Sequence, residues 1–325
     1  MRLPPPEQEV AALVAQGRDG DPRATARLLS LVEAGSSPLR AVACALADSA
    51  PQARTIGVTG SPGVGKSTLV AGLVAAYRET GARVGVLAVD PTSPFTGGAV
   101  LGDRVRMQEH ATDPGVFIRS MATRGHLGGL SWATPQAVRV LDAVGYEVVV
   151  VETVGVGQSE VEVAGLADTT VVVLAPGLGD GIQAAKAGIL EVGDVFVVNK
   201  ADRDGADLVV RDLTAMLRLA SPGPQAWTPR VLRTIASRQE GLDALVQAAH
   251  EHHDWLEGSG RLRQVRLRRA RHEVEALAEA EFHRAVGAAL GEPGLDELAA
   301  AVADGRLDPY AAADTLVAAV ARARG

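Results

Sequence analysis

The 325-residue chain has one cysteine, Cys44, so no internal disulfide can form. Aromatic residues make up only 3%, and the Val-rich runs at 148–151 and 171–175 last four or five residues. A membrane-spanning helix needs about 20. The opening MRLPPPEQEV has no apolar stretch of the kind a secretory leader carries. Together with the lone cysteine this leads us to expect a cytoplasmic protein with no membrane partner. The net charge of −7 gives no electrostatic reason to expect nucleic acid as a partner.

Two further scarcities are more informative. Of the 32 basic residues only three are lysines, Lys66, Lys186 and Lys200, and the only asparagine is Asn199. A chain that otherwise writes arginine for its cations places two of its lysines and its asparagine within residues 60–68 and 199–202. These positions are read as chemistry.

Length and hydrophobic content, 47% of the residues, suffice for a large core. Helical spacing over 7–17, 22–35 and 38–48, for example Leu28, Leu29 and Val32, predicts a helical N-terminal extension over 1–50. From Arg54 the pattern changes to short apolar runs at 54–59, 83–89, 115–119, 147–152, 169–175, 193–198 and 230–235, separated by helical stretches. Such strands predict an α/β domain over 51–257 with a mostly parallel central sheet covered on both faces. The stretch 261–290 reads as a long helix, and a Gly/Pro break at 291–294 divides it from shorter helices at 295–303 and 309–323. Residues 258–325 are thus expected to form a C-terminal helical arm. Val265, Leu277, Ala280 and Val286 would give the long helix one buried stripe suited to dimerisation.

The strand RTIGVT runs into Gly60, Ser61, Pro62, Gly63, Val64, Gly65, Lys66, Ser67 and Thr68, and a helical pattern follows. This is GxxxxGK[ST] in its strand, loop, helix setting. Glycines let backbone N–H groups face an anion, the helix N-terminus adds partial positive charge, Lys66 reaches the outer phosphates, and the Ser67 hydroxyl suits Mg²⁺. The run GDVFVV ends in Asn199, Lys200, Ala201 and Asp202, the NKxD pattern of guanine-nucleotide sites. A carboxylate at Asp202 can accept from guanine N1–H and the 2-amino group, neither of which adenine offers, so GTP or GDP is expected over ATP. Ile235, Ala236 and Ser237, after the next strand, are placed to offer a backbone N–H to the guanine carbonyl.

Asp90 ends one predicted strand, Asp103 lies in the following loop, and Glu152 ends another strand and opens ExxG, where GTPases commonly carry DxxG. Carboxylates there suit direct or water-mediated Mg²⁺ binding. Asp103 also reads as the N-cap of a helix. Gly155 can supply an N–H to the γ-phosphate. Val156 stands where a water-positioning glutamine is expected, which leaves Gln158 and Glu160 as candidates and predicts slow intrinsic hydrolysis accelerated by a partner. His250, His252 and His253 sit beside Glu251 and Asp254 and read as a solvated helix face. Arg261, Arg263, Arg266, Arg268, Arg269 and Arg271, followed by Glu273 and Glu275, read as i,i+4 pairs or a protein interface.

The segments GSPGVGKST, VDPTSPFTGGAVLGDRVRM, VETVGVGQSEVEVAGLAD, PGLGDGIQAAKAGILE and VVNKAD together resemble the MeaB/ArgK-type P-loop GTPases. These are G-protein chaperones of adenosylcobalamin-dependent methylmalonyl-CoA mutase. The resemblance extends over most of the chain and implies a SIMIBI-type GTPase. It implies a homodimer that couples GTP hydrolysis to cofactor delivery and to protection or reactivation of that mutase or a related acyl-CoA mutase. It also implies that residues 177–188 are a mobile switch, with Lys186 a candidate to cross to a nucleotide-side carboxylate or the partner. A kinase of an amino-acid transport protein, the older label of the family, and a metallochaperone GTPase are the alternatives. NKAD argues against the ATP site of the first, and the absence of CxxC against the second.

Overall fold

The computed structural model describes residues 7–34, 36–47, 51–90, 110, 112–122, 133–153, 159–177, 190–219, 223 and 226–324. All seven predicted strands are present: β1 (Arg54–Thr59), β2 (Val84–Asp90), β3 (Val116–Ala122), β4 (Val148–Thr153), β5 (Thr169–Leu174), β6 (Val195–Val198) and β7 (Arg230–Arg233). They form one sheet in the order β3-β2-β4-β1-β5-β6-β7 with every pairing parallel. From β1 at the centre the chain builds one half of the sheet, returns through β4, and then builds the other half. Loops leaving the strand ends on either side of β1 therefore diverge and open a crevice there.

The valine runs are explained by burial on both faces. Val148 and Val150 join Ile56, Val58, Val171 and Val173 beneath α4 (Lys66–Glu79). Val149 and Val151 face the opposite way, into a core shared with α1 (Glu7–Arg18), α2 (Pro22–Glu33), α3 (Ser36–Ala45), α5 (Ala133–Ala143) and α6 (Ser159–Leu166). The three N-terminal helices thus share a core with the sheet. Asp21 caps α2 by accepting from the Arg23 N–H at 2.8 Å, with Pro22 at the first helical position. Arg119 of β3 reaches back to Ser30 and Glu33 of α2. α7 (Ala206–Leu219) covers Val172, Leu174, Phe196 and Val198.

α8 (Leu242–Gly258) packs beside α4 and is followed by α9 (Arg261–Ala303) and α10 (Pro309–Arg324). The chain divides into two compact units, Met1–Arg266 and Leu267–Gly325. The boundary falls inside α9 because Arg266 binds Pro51 O, Ala53 O and the Asp168 carboxylate, which fixes the first turns of that helix to the sheet unit. The Gly/Pro break expected at 291–294 is absent: α9 is one helix of 43 residues. A proline removes a single backbone bond from a helix, and the Ala- and Leu-rich turns on both sides favour continuing it. Of the expected apolar stripe, Val286 is buried, Val265 and Leu277 are half-buried and Ala280 is exposed. Ala312, Ala319 and Val320 of α10 are buried as well.

Candidate functional site

β1 delivers the loop 60–65 to the crevice, and three of its glycines hold positive φ: Gly60 at 139°, Gly63 at 82° and Gly65 at 98°. A Cβ on Gly60 would collide with Val173 O, and one on Gly65 would lie 2.5 Å from Asn199 Nδ2. Gly65 is the N-cap of α4 and offers no side-chain hydrogen bond to the opening turn, the end of a helix that suits an anion. Lys66 and Ser67, in its first turn, are both 7% exposed. Lys66 Nζ donates to Gly60 O at 2.7 Å and Ser61 O at 3.1 Å. The ammonium thus sits across the mouth of its own loop, on neutral carbonyls. A phosphate oxygen would bind it more strongly, because it adds the attraction of opposite charges to the hydrogen bond.

β4 carries Glu152 to the same end of the sheet, in register with Val58 of β1 and Ala88 of β2. Its carboxylate is buried, and Oε1 accepts from the Ser67 hydroxyl at 2.8 Å. Behind it the Thr153 and Thr59 hydroxyls bond at 3.1 Å. Asp90 is the last residue of β2, two strands from β1. Asp103, Gly155, Gln158 and Lys186 lie outside the described residues.

β6 ends in the second motif. Asn199 is 2% exposed; its Nδ2 donates to Val64 O at 2.9 Å, and its Oδ1 accepts from the Thr234 hydroxyl and the Ala236 N–H, each at 3.1 Å. Lys200, at φ 55°, extends Nζ to Gly63 O at 2.7 Å. One asparagine therefore braces three loops from separate regions of the chain, and the adjacent lysine adds a fourth anchor. An aspartate in place of Asn199 would have no N–H to donate to Val64 O. The Ala236 N–H, expected to face a guanine carbonyl, already has Asn199 as its acceptor. Asp202 is solvent-facing, with Arg238 Nη2 at 3.5 Å. Ser237 is exposed and Ile235 half-buried. Thr234 and Arg238, which flank residues 235–237, are site residues that the sequence did not single out.

The histidines correct an expectation. His252 and His253 are 2% and 5% exposed, not a solvated face. Leu245, Ala248, Ala249, His252, His253 and Leu256 follow i, i+3, i+4, i+7 spacing along α8, so the histidines continue its buried stripe. His252 Nδ1 lies 2.9 Å from the Thr169 hydroxyl, Nε2 lies 3.4 Å from Asp194 Oδ1, and Trp227 packs on the ring at 4.9 Å. Burial lowers the His252 pKa to about 4, with His253 adding to the shift, so the ring is neutral at pH 7. Burial raises Asp194 to about 7, against the Thr170 N–H that favours its charged form. The arginine run is divided between roles. Arg266 anchors α9, Arg271 pairs with Glu275 at 2.9 Å, and Arg261 lies over the Trp255 ring.

The model of the family described as methylmalonyl Co-A mutase-associated GTPase MeaB matches residues 25–290. The chain belongs to this family. An inferred GTPase of Pyrococcus abyssi is 47% identical over 307 residues, 94% of this chain and 95% of that one. The GTPase ArgK of Escherichia coli is 38% identical over 267 residues, covering 80% and 81%. The crystal structure of an LAO/AO transport system kinase superposes with a TM-score of 0.69 at 28% identity, over 96% of this chain and 98% of that chain. This MeaB-family protein is a P-loop GTPase that binds and hydrolyses GTP. Among the described residues no helix is long and apolar enough to cross a membrane.

Proposed function

We propose that this GTPase is a cytoplasmic G-protein chaperone of an adenosylcobalamin-dependent acyl-CoA mutase, methylmalonyl-CoA mutase first among them. On this reading GTP binding and hydrolysis are coupled to loading the mutase with its cofactor and to protecting or reactivating it. The observation that carries this is the family match, which spans both loops of the site.

The nucleotide phosphates lie on residues 60–68. The opening turn of α4 donates N–H groups to them, and Lys66 leaves the Gly60 and Ser61 carbonyls for phosphate oxygens. Ser67 Oγ and Glu152 Oε1, two hard oxygen donors 2.8 Å apart, fit Mg²⁺. Asp90 and Asp103 belong to the same proposed set. The ion, when bound, would neutralise charge on the β- and γ-phosphates. The longer Glu152 reaches Ser67 directly, which explains how ExxG can stand where DxxG is usual. Gly155 and Gln158 are assigned to the γ-phosphate and the attacking water. Asp202 accepts from guanine N1–H and N2–H. Asn199 and Lys200 hold that carboxylate at a fixed distance from the phosphates.

A useful coupling requires the mutase to bind the GTP and GDP forms with different affinities, since a ligand indifferent to both shifts nothing. Leu267, Val274 and Phe282 of α9 are exposed and about two turns apart, and in this proposal they cover one another in a homodimer. The test is GTP turnover by the purified protein, alone and with the methylmalonyl-CoA mutase of the same cell. The proposal expects slow turnover alone and at least an order of magnitude more with the mutase. Turnover that the mutase leaves unchanged removes it as the client.

A further inference from the structure

His253 poses a problem that the nucleotide site does not address. It is 5% exposed, and among the described residues neither ring nitrogen has a hydrogen-bond partner. Buried polar side chains are nearly always paired, and a bare imidazole in a folded core calls for a reason. Its Nδ1 lies 4.0 Å from Glu257 Oε1, too far for a hydrogen bond. That distance is close to the separation of about 3 to 4 Å between two ligands of one cation whose bonds are about 2 Å long. Asp254 completes the group: one ligand atom from each of the three residues lies within 4.8 Å of the others. The positions are i, i+1 and i+4 on α8, so Glu257 is one turn from both of the others and lies between them around the helix.

We propose that His253, Asp254 and Glu257 bind one divalent cation of the Zn²⁺ class at the C-terminal end of α8. The mixed set of one imidazole and two carboxylates selects borderline cations over Mg²⁺ or Ca²⁺, which prefer oxygen alone. The imidazole approaches from the core, while the Asp254 and Glu257 carboxylates are 66% and 58% exposed. A cation therefore enters from solvent and keeps water in its remaining positions. The competitor is Arg54, whose Nη2 is 3.7 Å from Asp254 Oδ1. Exposed pairs of this kind contribute little, and this one engages a single carboxylate oxygen.

The site adjoins the starts of the strands, since Arg54 opens β1 and the neighbouring His252 meets Thr169 at the head of β5. The nucleotide loops occupy the opposite ends of those strands. The proposal is therefore independent of how the GTP site is assigned.

Full-length protein stripped with EDTA and free of nucleotide is titrated with ZnCl₂ against a chromophoric indicator, and GTP turnover is measured in parallel. The expected result is one Zn²⁺ per chain with micromolar affinity or better. Glu257→Gln and Asp254→Asn, both at exposed positions, should each weaken it at least 10-fold with GTP turnover unchanged, and Cys44→Ser should have no effect. Absence of stoichiometric zinc overturns the proposal. So does zinc that persists in both carboxylate variants, or that is lost with Cys44→Ser.

Discussion

The two ends of the sheet are both polar, and they are polar in opposite ways. At the C-terminal end side-chain nitrogens rest on backbone carbonyls: Lys66 on Gly60 and Ser61, Lys200 on Gly63, Asn199 on Val64. At the N-terminal end side chains close on one another and on strand starts. His252 sits between Thr169 and Asp194, and Asp168 accepts from the Thr55 N–H at 3.0 Å and from Arg266 at 3.3 Å. Carbonyl partners of a cation can be exchanged for an anion at little loss, whereas a buried acid with two donors or a neutral histidine packed on tryptophan has nothing to gain from one. The first arrangement is suited to an anionic ligand; the second holds the fold together, with His253 the exception.

The largest test of this contrast is Lys66→Ala. It should weaken nucleotide binding on the order of 10²-fold or more, since charge-assisted bonds are lost, and leave thermal unfolding nearly unchanged. A fluorescent GDP titration and a melt measure both. An equal loss of stability would mean that Lys66 serves the fold.

The other end should respond to pH. His252 falls from 6.5 unfolded to about 4 folded, so the unfolded chain binds the extra proton between these values. Stability is full above pH 6.5 and is lost as pH falls towards 4, by about 3 kcal/mol over the whole interval. Asp194, raised from 3.8 to about 7, works in the opposite sense: the folded chain holds the proton, and stability falls as pH rises from 4 to 7. Urea unfolding of wild type should therefore show little net slope over this range. Asp194→Asn, which keeps an acceptor for the Thr170 N–H, should uncover the His252 slope. A flat profile in the variant contradicts the neutral buried imidazole.

The smallest effect belongs to the surface. Arg271→Ala removes an exposed i,i+4 pair with Glu275 and should leave the urea unfolding midpoint nearly unchanged. A larger loss would place Arg271 in a buried interface.

The loops that meet at the C-terminal end were legible because their signals are local. Glycines, Lys66 and Ser67 stand within one loop, Asn199 and Asp202 within another, and the valine runs announced the strands that carry them. The brace between the loops was not legible, because Asn199 meets Val64 across 135 positions and Thr234 across 35. The histidines were misread for a related reason. Beside Glu251 and Asp254 they look solvated, and only the stripe that begins at Leu245, together with Thr169 83 positions away, reveals the burial. The expected break at 291–294 gave one proline more weight than the helix formers flanking it.

The account rests on Asp202 as the group that reads guanine, joined to the phosphate loop through Asn199 and Lys200. The most direct measurement is binding of GTP and xanthosine triphosphate to wild type and to Asp202→Asn. Xanthine replaces the 2-amino donor with a carbonyl, which an asparagine amide can serve and a carboxylate cannot. Wild type should prefer GTP strongly, and Asp202→Asn should lose GTP affinity on the order of 10²-fold or more while gaining xanthosine triphosphate. A variant that keeps its full preference for guanine would contradict the assignment.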